Sequence, residues 1–133
     1  MNRLFHVVDM IGRLLLAALF IWDGWIITQN YAGTAAYVAG HGVPAVLMPA
    51  VVATLLGGGV LIALGLWTRL AALALGLFCL STAILFHAGS PDMGEQIQFW
   101  KDLGLAGGFV VLVANGARAL SLDALWRRRL GSK

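Results

Sequence analysis

Charge is what this chain has least of. Nine basic and six acidic side chains serve 133 residues, 11% of the total, where soluble domains carry about 25%. Hydrophobic residues make up 60%, so too few polar groups remain to cover a water-facing surface. Cysteine occurs once, at Cys79 within an apolar run. That excludes an internal disulfide, a CxxC redox motif and a Cys/His zinc site, and leaves Cys79 as a small buried hydrophobe. No nucleotide-binding loop and no nucleophile–base pair occurs either, which argues against a free-standing enzyme. A single domain over residues 1–133 belongs in a bilayer.

The few charges are placed with a pattern. Arg3 and Arg13 lie near the start of the chain, Arg118, Arg127, Arg128, Arg129 and Lys133 near its end, and Arg69 between two apolar runs. No basic groove interleaved with aromatics is present, so nucleic acid is not an expected partner. Four runs are long enough to cross a membrane, at about 8–29, 44–67, 69–87 and 97–115. The first begins like a signal peptide, but "LFIWDGWIITQNY" carries tryptophans and an acid where small residues would mark cleavage. The first connection, "NYAGTAAYVAGHGV", has no Lys or Arg, and the third, "AGSPDMGE", has only acids. Because Lys and Arg mark the cytoplasmic side, both termini are expected in the cytoplasm. The expected fold is therefore an all-α membrane bundle of four helices.

Small residues let membrane helices approach closely, which points to Gly57, Gly58, Gly59, Gly107 and Gly108 as packing positions. A short interfacial helix is expected over about 118–130, with Leu120, Leu122, Leu125 and Trp126 on lipid and Arg127, Arg128 and Arg129 on headgroups.

The ionisable residues inside the spans carry the functional question. Asp23 lies about six residues inside the first span, roughly 9 Å at 1.5 Å per residue. Lys101 and Asp102 lie at similar depth in the fourth, and His87 closes the third. Gln98, Lys101 and Asp102 share a helix face. Charges in a span normally face the bundle and pair, so Asp23 is expected to pair with Lys101, leaving Asp102 to be protonated, to bond His87 or to reach water. These residues form either a polar latch holding the helices in register or a pocket for a headgroup, a quinone or a proton. Trp22 and Trp100 would be its walls, or members of an interfacial aromatic belt. His6 and His41 are badly placed to join His87 as haem ligands, and no metal site is expected.

Several stretches are similar to a known family: "GRLLLAALF" from Gly12, "YAGTAAYVAGHGVPA" from Tyr31, "LGLWTRLAALAL" from Leu64, Phe86-His87, "QIQFWKDLGLAGG" from Gln96 and "SLDAL" from Ser121. In order and spacing the chain resembles the DoxX family of small four-helix bacterial membrane proteins. The resemblance implies a four-helix membrane bundle and an association with membrane oxidoreductases, often as a non-catalytic partner. It also marks departures: relatives often have a serine near Asp23 and a lysine near Ile27, an acid before the second span's glycines where this chain has Thr54-Leu55, and asparagine where this chain has Asp102. The function expected is an accessory subunit of a membrane oxidoreductase or other membrane complex, contacting quinone or lipid in the polar layer. The alternatives are a purely structural helix-docking protein and a small-molecule carrier acting as a homo-oligomer. Membrane lipids and other subunits, or further copies of the chain, are the expected partners.

Overall fold

The structure is a computed structural model and describes residues 2–131. Its elements, in chain order, are α1 (Arg3–Gln29), α2 (Tyr31–Gly40), a 3-10 turn (Ala45–Leu47), α3 (Met48–Leu64), α4 (Thr68–Thr82), a π turn (Ala83–His87), α5 (Met93–Asn115) and α6 (Leu122–Leu130). Four helical segments are long and apolar enough to span a membrane: Arg3–Gln29, Ala45–Leu64, Thr68–His87 and Met93–Asn115. They alternate in direction, so both termini and the α3–α4 turn lie at one end, the terminal end. The other two connections lie at the loop end.

Lipid is as apolar as a helix surface, so packing between spans rests on close shape fit rather than on escape from water. Helix α1 packs on α3, α3 on α4 and α4 on α5. Leu55, Ile62, Ala72, Leu75 and Phe109 are fully buried at the centre. A Cβ at Gly59 would stand 2.8 Å from Ile21 Cγ1 and 3.3 Å from the Ala17 carbonyl, and one at Gly58 would stand 3.0 Å from Leu75. Those two glycines stand where helices approach closely. Gly57, Gly107 and Gly108 do not, because a Cβ there meets nothing within 4 Å. Gly24, against Leu56, and Gly76, against Phe109, hold the close approaches instead.

The first connection is not a plain loop. Tyr31–Gly40 is helical, an alanine-rich stretch that ends where Gly42 takes φ +79° ahead of Pro44.

At the terminal end, Arg13 is 2% exposed. Its Nε donates to Asp9 Oδ2 at 3.1 Å, its Nη1 to the Ile62 and Ala63 carbonyls at 3.0 and 3.1 Å, and its Nη2 to the Leu120 carbonyl at 2.5 Å. The guanidinium thus adds donors to carbonyls of the last turn of α3, Ile62 also accepting from the Gly65 amide, and ties α1 to the segment before α6. Asp123 of α6 reaches the α3–α4 turn. It accepts from the Trp67 amide at 2.8 Å, the Thr68 amide at 3.0 Å and the Thr68 hydroxyl at 2.7 Å. Those bonds cap α4 and hold Trp67 at φ +47°, a conformation non-glycine residues rarely adopt. Burial pushes the Asp123 carboxyl up, but the Thr68 and Trp67 donors, with Arg127 nearby, outweigh it and hold the group below its ordinary value. Helix α6 is therefore docked on the bundle. Arg127 turns inward, Nη2 donating to the Ala117 carbonyl at 3.2 Å, so of the three arginines expected on headgroups it is engaged within the protein.

Candidate functional site

At the loop end the chain builds an array of ionisable groups from three consecutive pieces of local structure. The first is the turn into α5. Asp92 caps that helix, its Oδ1 accepting from the Glu95 amide at 3.1 Å. In a capping box the Glu side chain would turn back to the amide of the cap. Here Ser90 Oγ takes that amide at 3.2 Å, and the Glu95 carboxylate is released to point elsewhere. It meets His87, hydrogen-bonding Nδ1 through Oε2.

The second piece is the π turn over Ala83–His87. A π turn inserts an extra residue into the helical repeat and is common at functional positions. At its C-terminal end the neighbours Phe86 and His87 are both half-buried. The His87 side chain is 16% exposed, and its Nε2 stands 3.9 Å from Oδ2 of Asp102, itself 21% exposed. One imidazole thus lies between a carboxylate at the surface and a carboxylate further into the bundle.

The third piece is α4 against α5. The Thr82 hydroxyl lies 2.8 Å from Asp102 Oδ2 and 3.0 Å from the Cys79 carbonyl. A hydroxyl has one hydrogen and two lone pairs. With Asp102 ionised, Thr82 donates to it; with Asp102 protonated, the carboxyl can donate to Thr82 while Thr82 donates to Cys79. Either state of the acid is satisfied without moving a helix.

Asp23 on α1 completes the layer. It is close enough to Asp102 for their charges to interact, yet exposed on its helix, and no hydrogen bond or ion pair reaches it among the described residues. Beside His87, α2 and its C-cap residue meet Phe86. Tyr37 stacks on Phe86 with ring centroids 5.6 Å apart, and His41 stands 5.0 Å from the same ring. Chemically the array can hold, share or pass protons along Glu95, His87 and Asp102, and offers hydrogen-bonding groups to a polar head at Asp23 and Asp102. Among the described residues no group of three His, Cys, Asp or Glu side chains is placed to hold a metal ion.

The DoxX family matches residues 8–88. The chain belongs to the DoxX family. It is 37% identical over 129 residues to the inner membrane protein YqjF of Escherichia coli, covering 97% of this chain and 99% of that protein. It is 32% identical over 124 residues to the E. coli inner membrane protein YphA, covering 88% and 89% of the two chains. The putative oxidoreductase CatD of Bacillus subtilis is 28% identical over 123 residues, covering 92% and 90%. No solved structure matches. With four apolar spans, this DoxX protein is a multi-pass protein of the inner membrane.

The DoxX chain brings together only part of the layer expected from its sequence. His87, Asp102 and Asp23 gather, and Glu95 and Thr82 join them. The expected Asp23–Lys101 pair is not formed: Lys101 is exposed, and the side-chain ion pairs within the described residues are Arg13–Asp9, His87–Glu95 and His87–Asp102. Residues 101 and 102 differ by about 100° around the helix axis, so turning Asp102 toward His87 takes Lys101 away from it. Gln98 is likewise exposed. Trp22 and Trp100 are 65% and 69% exposed; they face outward as belt residues rather than walling the array. Glu95, missing from the expected layer, has a signal in the sequence: an acid three residues after Asp92, in capping-box spacing, whose partner depends on what Ser90 does. The π turn that presents His87 has no such signature in the residues.

Proposed function

We propose that this DoxX protein is a small non-catalytic subunit serving a membrane oxidoreductase, and that its loop-end array hydrogen-bonds the polar head of a quinone and supplies or takes up the protons that accompany its two-electron reduction or oxidation, the electrons passing to or from that oxidoreductase. The observation carrying this reading is His87 held between Glu95 and Asp102, with Thr82 able to satisfy Asp102 in either protonation state. An unpaired Asp23 beside that array favours a neighbour outside the chain, because an ionisable group in a span is costly without a partner. The printed description of the Bacillus subtilis relative as a putative oxidoreductase points to the same chemistry. All arginines of the chain fall at the terminal end, whereas Asp23, Asp92, Glu95 and Asp102 face only Lys101 at the loop end. This asymmetry supports cytoplasmic termini and a site on the outer side.

Quinones quench tryptophan emission, and Trp22, Trp25 and Trp100 lie at the same end of the bundle. Titrating the protein in nanodiscs with a short-tailed benzoquinone should give saturable quenching. His87→Ala and Asp102→Asn should each weaken it about tenfold, the equivalent of one good hydrogen bond, while the unfolding midpoint of at least one variant stays near the parent. Non-saturable quenching, or equal affinity in both variants, would sink the quinone reading. Extraction of the native membrane without detergent should bring larger redox subunits with the protein; recovery of the chain alone would sink the subunit reading.

A further inference from the structure

A cavity of about 440 Å³ lies at the terminal end of the bundle, within the size range of small-molecule sites, roughly 300–1,000 Å³. The α3–α4 turn and the first turn of α4 form one side of it, through Trp67, Arg69 and Leu70. Helix α6 forms the other through Asp123 and Arg127, and Gly116, the C-cap of α5, is also on its wall. Two spans end at this level: Arg69 is the second residue of Thr68–His87, and Asn115 is the last of Met93–Asn115. Trp67 and Leu70 are 58% and 62% exposed, so the apolar side of the cavity opens toward lipid where headgroups begin.

Two arginine side chains from different helices converge on that wall. Gly116 takes φ +67° and carries no side chain, and Arg69 lies across it, its Nε 3.1 Å from where a Cβ would stand. Arg127 Nη2 donates to the carbonyl of the next residue, Ala117, at 3.2 Å. That bond anchors the Arg127 fork at the cavity and uses one of its five N–H donors. Within the described residues no hydrogen bond or ion pair engages the Arg69 guanidinium. The one acid on the cavity, Asp123, offsets only one of the two positive charges. Its two oxygens are turned to the Trp67 amide and to the Thr68 amide and hydroxyl, and it forms no ion pair with either arginine. Guanidinium forks match phosphate oxygens, and basic pockets between spans hold anionic headgroups. A zwitterionic headgroup would also need an acceptor for its ammonium, and both Asp123 oxygens are in use. We propose that this cavity holds the phosphate of one anionic phospholipid between Arg69 and Arg127, with its acyl chains leaving past Trp67 and Leu70. The proposal is independent of the quinone reading, which concerns the other end of the bundle.

The test titrates the full-length protein, in a non-ionic detergent, with phosphatidylglycerol or phosphatidylcholine of identical acyl chains and counts bound lipids by native mass spectrometry. The first phosphatidylglycerol should bind at least about fivefold more tightly than phosphatidylcholine, the effect of one surplus arginine near an anionic headgroup. Arg69→Gln removes no internal hydrogen bond, so this variant should unfold at the parent's midpoint while its preference for phosphatidylglycerol falls about fivefold. Arg127→Gln should lower the preference as well. Arg128→Gln makes the same charge change on the same helix, at a residue that does not line the cavity, and should leave the preference intact. Equal binding of the two lipids by the parent would overturn the proposal, as would an undiminished preference in folded Arg69→Gln. An equal loss in Arg128→Gln would overturn it too, by assigning the effect to diffuse charge. Displacement of the lipid by glycerol 3-phosphate at equal concentration would give the cavity to a free phosphate ester instead.

Discussion

Replacing Arg13 by methionine tests whether the terminal end is held by one guanidinium. Methionine is unbranched and flexible enough to occupy much of the same space, so the experiment removes charge and donors rather than volume. Four hydrogen bonds go: those to Asp9, Ile62, Ala63 and Leu120. Asp9 is left 12% exposed without its cation, and the Ile62 and Ala63 carbonyls lose the guanidinium, Ile62 keeping the Gly65 amide. Removing one member of a buried pair costs about 3–5 kcal/mol, mostly from the charge left behind. Much of that should return when the acid is neutralised too. Asp9→Asn in the Arg13→Met background should recover about 2 kcal/mol, a coupling of the size found for residues in direct contact. Arg13→Lys should not rescue, because a single ammonium cannot reach acceptors on α1, α3 and the segment before α6 at once. The assay is reversible unfolding in mixed micelles of rising denaturing-detergent fraction, followed by far-ultraviolet circular dichroism. A single variant within about 0.5 kcal/mol of the parent would refute the reasoning, as would strict additivity of the two substitutions.

Two further outcomes follow from the same packing logic. Asp123→Asn should destabilise by about 1–2 kcal/mol through loss of a charged cap. Because the folded carboxyl sits below its ordinary value of 3.8, its contribution is fully present above that value and lost as pH falls through the lower folded value. The parent and variant should therefore differ at neutral pH and converge in strong acid; a constant difference down to the lowest attainable pH would show that the charge is irrelevant. In α3, Gly59→Val should cost about 1–3 kcal/mol by overpacking against Ile21 and the Ala17 backbone. Gly107→Ala, with open space around its Cβ, should be neutral or stabilising by up to about 1 kcal/mol. Equal effects on detergent unfolding at the two positions would remove the distinction between them.

The spans were legible because a membrane helix is specified by length and hydropathy alone, and a run such as 69–87 satisfies both without reference to its neighbours. Which side of each span turns inward was not legible, since a helix that is apolar all round has no amphipathic stripe to reveal it. That is why Gly58 and Gly107 looked alike in the sequence, although one lies against Leu75 and the other has open space. The depth of Asp23, His87 and Asp102 could be counted from the span ends, so their gathering at one level was foreseeable. The pairing within that level was not, because it turns on an azimuth. Arg13 shows the same limit at the other end. As a cation near the start of a span it serves equally well as a topology signal, and only the tertiary meeting of Asp9, the end of α3 and Leu120 makes it a structural centre. Polar residues in this DoxX protein thus act at both ends of a bundle whose middle has no polar grip of its own. One end closes on itself through Arg13 and Asp123. The other keeps Asp23 open beside an array that can hold a proton, and an unpaired acid is what a site needs if its partner comes from outside the chain.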